Sequence, residues 1–252
     1  MVIAVVNQKG GVAKTTSVFN IGVELARRGN KVLMIDFDAQ ASLTICANLE
    51  PYEQGKNIIS VIRDGVSIRE CIVSLRDKLD MVTSDIGLAA QEMALVVRTM
   101  RELVLHKALD SVKADYDYIL IDCPPQLSIL TINALSACDR VIIPCKTDYL
   151  SYRGLEQLQG TIDVVKNEVN SKLGVLGIIA TLYEQRVKDD KDVLEFLKNK
   201  GEVIAVVKKL AIAKKGIYSG IAVVEQDSNN DISIAYKKVC DRIEEECINY
   251  GK

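Results

Sequence analysis

A chain of 252 residues, 48% hydrophobic and 26% charged, has the composition of an ordinary globular protein and a length suited to one large α/β domain. Its net charge of −2 excludes a globally basic nucleic-acid binder but leaves room for a local basic patch. Seven cysteines with no C-x-x-C pair, and a single histidine, His106, argue against zinc, iron–sulfur and His-based catalytic centres and for reduced, mostly buried thiols.

The chain opens with "MVIAVVNQ", which reads as a strand at 2–6 rather than as a signal peptide. No apolar run approaches membrane-spanning length, so a cytoplasmic protein is expected. A glycine-containing loop follows, then a helical pattern from Lys14 to Arg28 that stops at Gly29. Further strands are expected at 31–36, 79–84, 118–123, 140–145, 175–182 and 202–207, with a less regular, mainly helical stretch at about 46–78. Most of these strands are continuously apolar, the signature of strands covered on both faces. Strands alternating with helices predict a doubly wound α/β fold with a mostly parallel sheet, in one domain over residues 1–252. In such a sheet, ligands bind beyond the carboxyl ends of the strands. Three polar motifs fall there: "VNQKGGVAKTT", "DFDAQAS" and "IDCPPQ".

The first motif connects an apolar strand to a helix, the context of a phosphate-binding loop. It departs from G-x-x-x-x-G-K-[ST], because Gln8 and Ala13 stand at the two pattern glycines. Lys9, Gly10, Gly11, Val12, Ala13, Lys14, Thr15 and Thr16 form the candidate cradle. Its backbone N–H groups and the following helix N-terminus favour an anion. Lys14 would reach the β- and γ-phosphates, Thr15 would ligate Mg²⁺, and Thr16 would contact the α-phosphate. A solvent-exposed glycine turn is the alternative reading.

Asp122, at the end of an apolar strand, fits a carboxylate that holds Mg²⁺ through water. A turn-capping aspartate is its alternative. Asp36 and Asp38, two apart, are expected to project to the same side. Asp38 lies further past the strand end and is the better candidate to position water in line with the γ-phosphate. Asp36 would tune Mg²⁺ or cap the strand.

"NQKGGVAKTT", "DFDAQAS", "YDYILIDCPPQLSILTINAL" and "DRVIIPCKTDYLSYRGLEQL" together resemble the ParA/Soj partition ATPases, of the deviant Walker A (MinD/ParA) class of P-loop NTPases. The resemblance runs through nearly the whole chain and is strongest up to about residue 160. It implies an ATP- and Mg²⁺-dependent ATPase with Lys9, Lys14 and Asp38 as catalytic residues. It also implies an ATP-sandwich homodimer in which Lys9 reaches the partner's phosphates, non-specific DNA binding, and stimulation by a ParB-like centromere-binding protein. The chain would be cytoplasmic and nucleoid-associated. The family usually has glycine where Ala13 stands, so the loop is expected to hold a conformation alanine accepts. It often has D-P-Q-G-N where this chain has "DAQAS", with alanines at 39 and 41.

The stretch 205–220 corresponds to a family region near the DNA-binding surface. Here it carries Lys208, Lys209, Lys214 and Lys215, a candidate DNA patch whose alternative is a solvated lysine face. A MinD-like membrane-cycling regulator of cell division is the second functional reading. It requires a basic amphipathic tail, whereas this tail carries Glu244, Glu245 and Glu246, so no membrane contact is expected. An iron-protein reductase lacks its paired cysteines, and a tyrosine autokinase lacks its tyrosine cluster.

Overall fold

A computed structural model describes residues 1–209 and 220–250. In chain order, β1 (Val2–Val5) leads to α1 (Lys14–Arg27), β2 (Val32–Asp36), α2 (Ser42–Cys46) and α3 (Ile58–Asp64). Then come β3 (Ile72–Arg76), β4 (Leu79–Val82), α4 (Leu88–Leu95), α5 (Val104–Leu109) and β5 (Tyr118–Asp122). The later elements are α6 (Ile129–Ala137), β6 (Arg140–Lys146), α7 (Tyr149–Glu168), β7 (Gly174–Tyr183), α8 (Lys188–Lys200), β8 (Val203–Lys208) and a C-terminal helix, Asp231–Tyr250.

The strands form one eight-stranded sheet in the order β3-β4-β2-β5-β1-β6-β7-β8. Every neighbouring pair is parallel except β3 with β4. The expected strands all occur, with ends shifted by one or two residues. The expectation of a mainly helical stretch at 46–78 needs correction, since it contains β3. That strand lies at the sheet edge and is only half-buried, so it lacks the continuous apolar run that marks the inner strands.

Alternation along each strand sends side chains to two separate cores. From β1, Val2 and Ala4 join the core under α3, α5, α6, α7 and α8, whereas Ile3 and Val5 join the core under α1, α2 and the C-terminal helix. Six of the seven cysteines are buried and the seventh, Cys247, is half-buried, all with free thiols. The C-terminal helix spends its apolar face on the domain: Val239, Cys240 and Ile243 are fully buried. Its acids pair with Arg28 (Asp241 and Glu244) and with Arg140 (Glu246). A membrane anchor would need that apolar face, so its burial counts against one. No described helix is long and apolar enough to cross a membrane.

Candidate nucleotide site

β2, β5 and β1 lie side by side, with Asp36 in register with Asp122 and Val5 in register with Asp122. The phosphate-loop candidate therefore leaves β1 beside the carboxyl ends of both acid-bearing strands. Helix α1 begins at Lys14 and has no side-chain cap, so the loop backbone precedes it directly.

The loop is tied down on the β6–β7 side. Buried Asn7 donates from Nδ2 to the Pro144 carbonyl (2.7 Å) and accepts the Lys9 N–H on Oδ1 (2.9 Å). Gln8 Nε2 donates to the Gly154 carbonyl on α7 (3.0 Å), and a Cβ at Gly154 would stand only 2.6 Å from that same nitrogen. Thr181, from β7, donates its hydroxyl to the Val12 carbonyl (3.0 Å). Asn7 and Thr181 were not singled out from sequence; Asn7 only opens the polar run after β1, and Thr181 is a lone polar residue near the end of the apolar β7.

Lys14 is buried and donates to the Lys9 carbonyl (3.1 Å). Burial lowers the pKa of its ammonium, and the charges of Asp122 and Asp38 oppose that shift. The Thr15 hydroxyl donates to Asp122 Oδ2 (2.7 Å). The other oxygen, Asp122 Oδ1, is buried with no hydrogen-bond partner. A buried carboxylate oxygen without a donor is costly unless a cation arrives. Burial accordingly holds the Asp122 carboxyl well above the usual range, with the neighbouring Asp36 charge adding to the effect. Among the described residues, no three His, Cys, Asp or Glu side chains form a cage by themselves. A Mg²⁺ completed by phosphate oxygens and water needs no such cage. Thr15 and Asp122 thus fit as its protein contacts.

Asp36 and Asp38 diverge. Asp36 is fully buried and accepts both the Thr44 N–H and the Thr44 hydroxyl on Oδ2 (2.8 Å each). Its carboxyl is pushed up to about 6 by burial, against the opposing pull of those hydrogen bonds. Asp36 therefore holds the start of α2, an arrangement different from either role expected of it, tuning Mg²⁺ or capping the strand. Asp38 stays half-exposed; its N–H points to Asp36 Oδ1 (3.3 Å), and its own Oδ1 accepts the Gln40 N–H (3.0 Å). Its charge acts on both Lys14 and Asp122, so it lies near them.

Lys9 directs its ammonium to Asp148 Oδ1 at 2.8 Å, across 139 positions of sequence. Asp148 follows β6 and caps α7 by accepting the Ser151 N–H (2.9 Å). Sequence reading passed over Asp148; an aspartate between an apolar strand and a helix was its only signal.

Of the four lysines of the candidate DNA patch, Lys208 pairs with Asp231 (2.8 Å) and Lys209 with Glu184 (2.6 Å), all four side chains being exposed. Lys214 and Lys215 lie outside the described residues.

Comparison with known proteins fits this geometry. Residues 1–175 match the AAA domain family. The chain is 38% identical over 198 residues to the sporulation initiation inhibitor protein Soj of Bacillus subtilis, covering 78% of each chain. The chain belongs to the ParA/Soj family. Two uncharacterised Mycobacterium tuberculosis proteins are 43% identical over 195 residues, 77% of this chain, but the match spans only 61% of their own length. Among solved structures, a cobyrinic acid a,c-diamide synthase from Mycobacterium smegmatis, with bound ATP analogue and magnesium, superposes with a TM-score of 0.82. It is 33% identical, with 95% of this chain and 92% of that chain covered. A Borrelia burgdorferi putative plasmid partition protein bound to AMPPNP gives a TM-score of 0.84 at 25% identity, over 97% and 98% of the two chains.

Within this family the two alanine departures acquire a structural meaning. Ala13 has φ 66° and Ala41 φ 50°, both in the left-handed region. The loop keeps the glycine-type backbone and forces alanine into it, rather than adopting a conformation alanine prefers. Left-handed backbone costs an L-residue roughly 1–2 kcal/mol. Both strained residues immediately precede helices, α1 and α2, that start at the site.

Proposed function

We propose that this chain is an ATP-dependent DNA-partition ATPase that works as an ATP-sandwich homodimer. The observation that carries the nucleotide part is the Thr15–Asp122 pair, with Asp122 Oδ1 buried and unpartnered beside Lys14. Lys9, Gly10, Gly11, Val12, Ala13, Lys14, Thr15 and Thr16 cradle the ATP phosphates. Thr15 and Asp122 hold Mg²⁺, which when bound offsets phosphate charge. Lys14 leaves the Lys9 carbonyl for the β- and γ-phosphates. Asp38, half-exposed and within the field of Lys14, orients the attacking water.

Two nucleotides placed face to face concentrate negative charge. Lys9, donated across the interface, offsets it and makes dimerisation depend on ATP. The dimer would bind DNA without sequence preference, through Lys208, Lys209, Lys214 and Lys215 and their symmetry mates. A ParB-like centromere-binding partner would stimulate hydrolysis and so release the dimer. Family membership and the partition role named for the Borrelia structure support this reading.

Sedimentation of the purified chain with Mg²⁺ and a slowly hydrolysed ATP analogue tests it. A nucleotide-dependent dimer that binds unrelated duplexes is expected, with Lys9→Ala binding nucleotide yet remaining monomeric. Lys14→Ala should lose about 10- to 100-fold in nucleotide affinity, the range for losing a hydrogen bond to a charged group. Binding to anionic liposomes but not to DNA would instead favour a membrane-cycling regulator.

A further inference from the structure

Lys9 is fixed everywhere except along its side chain. Its N–H is held by Asn7 Oδ1 (2.9 Å) and its carbonyl by Lys14 Nζ (3.1 Å). Only the flexible four-carbon stem is free to swing. In the structure that stem ends on Asp148 Oδ1 at 2.8 Å, while Lys146 approaches Asp148 Oδ2 at 3.2 Å. The carboxylate itself is immobile, because the oxygen that takes Lys9 also caps α7 through the Ser151 N–H. Two ammonium groups and a backbone donor hold the Asp148 carboxyl well below the usual carboxylate range, although its partial burial opposes them.

We propose that Asp148 is a positioning residue that latches Lys9 within its own subunit, so that forming the dimer requires exchanging this carboxylate for the partner's phosphates. The proposal rests on the reading of Lys9 as the residue given across the dimer. One ammonium cannot serve both acceptors at full strength, so the internal pair competes with association. Lys9 and Asp148 side chains are 35% and 28% exposed, which places the pair among solvent-screened ion pairs. Such a pair is worth a factor of about 1.4–5 in an equilibrium constant. Each dimer opens two latches, so the opposing effect on the dimer dissociation constant is about two- to thirtyfold by the same rule.

The test is a double-mutant cycle on dimerisation, followed by sedimentation with Mg²⁺ and a slowly hydrolysed ATP analogue. Asp148→Asn removes the charge and keeps the cap, since Asn and Asp cap helices about equally well. Asp148→Ser, another good cap, guards against a folding defect peculiar to asparagine. Both should remain cooperatively folded, with the thermal midpoint lowered only by the loss of solvent-screened ion pairs, and should tighten the dimer about two- to thirtyfold. In a Lys9→Ala background the same substitutions should change nothing. A dimer that is unchanged or weaker in both variants overturns the latch alone. Tightening that persists without Lys9 also overturns it, because the effect would then come from general charge. A Lys9→Ala chain that dimerises as well as wild type, or a wild type that never dimerises, overturns the sandwich reading and the latch with it.

Discussion

The Thr15 hydroxyl and the Asp122 carboxylate, 107 residues apart in sequence, meet at 2.7 Å beside buried Lys14. The contact leaves Asp122 Oδ1 without a donor in a site that burial has already made hostile to negative charge. The site is thus poised for a cation, and its own charge opposes folding until one binds.

That opposition has a definite pH dependence. Asp36, pushed up to about 6, and Asp122, raised further, bind protons more tightly folded than unfolded. Their contribution is full below the ordinary carboxylate range and is lost as pH rises through the folded values. Nucleotide-free protein should therefore lose stability between pH 5 and 7.5, roughly 1 kcal/mol from Asp36 alone with Asp122 adding in the same direction, read by urea denaturation. Asp148 has the opposite shift, but its window lies at lower pH and leaves this range clear. Asp122→Asn should flatten the profile, stabilise the nucleotide-free chain at pH 7.5 and abolish Mg²⁺-dependent nucleotide binding. An unaltered profile would remove the buried-charge account of Asp122.

Ala13→Gly and Ala41→Gly should each relieve left-handed strain. The gain of roughly 1–2 kcal/mol is partly offset by the glycine's greater unfolded-state freedom, about 0.4–1 kcal/mol. A net stabilisation of up to about 1.5 kcal/mol is expected for each, seen as a higher urea midpoint at unchanged m. A loss of stability in both would mean that the alanine methyl groups contribute packing that outweighs the strain.

Asp38→Ala should bind nucleotide with near-wild-type affinity and hydrolyse it about 10²–10⁴-fold more slowly, the range for a lost general base. Single-turnover phosphate release separates this from a binding defect. Normal turnover would rule out Asp38 as the water-positioning group. Asp36 is poorly placed to substitute, with Oδ2 already engaged by Thr44.

DNA binding by the nucleotide-bound dimer should weaken with salt, each neutralised phosphate contributing about −0.9 to the logarithmic slope. Lys208 and Lys209 already face Asp231 and Glu184, so fewer than four lysines per subunit are free to act. A dimer slope on the order of −2 to −4 follows. Replacing Lys208, Lys209, Lys214 and Lys215 by glutamate should flatten it while leaving nucleotide-driven dimerisation intact. A quadruple variant with the original slope would put the DNA surface elsewhere.

Local chemistry was enough to announce the strand–loop–helix at Lys14, the inner strands and the placement of Asp122 at a strand end. Continuous apolar runs have few other uses, and Lys-Thr-Thr opening a helix after such a run is a specific pattern. Sequence also set Asp36 and Asp38 two apart, but it left their division of labour open. Packing separates them: Asp36 points into the core, where Thr44 and the Asp38 N–H satisfy it, while Asp38 stays half-exposed. The partner of Lys9 was equally out of reach, because it depends on β6 lying directly beside β1 and carrying Asp148 to the loop. The edge strand β3 carries no inner-strand signature, and the left-handed backbone at Ala13 and Ala41 is imposed against the preference of alanine. Patterns that follow from covalent neighbours belong to the sequence. Contacts made across the sheet, and strain that only the surrounding fold can hold, exist only once the chain is folded.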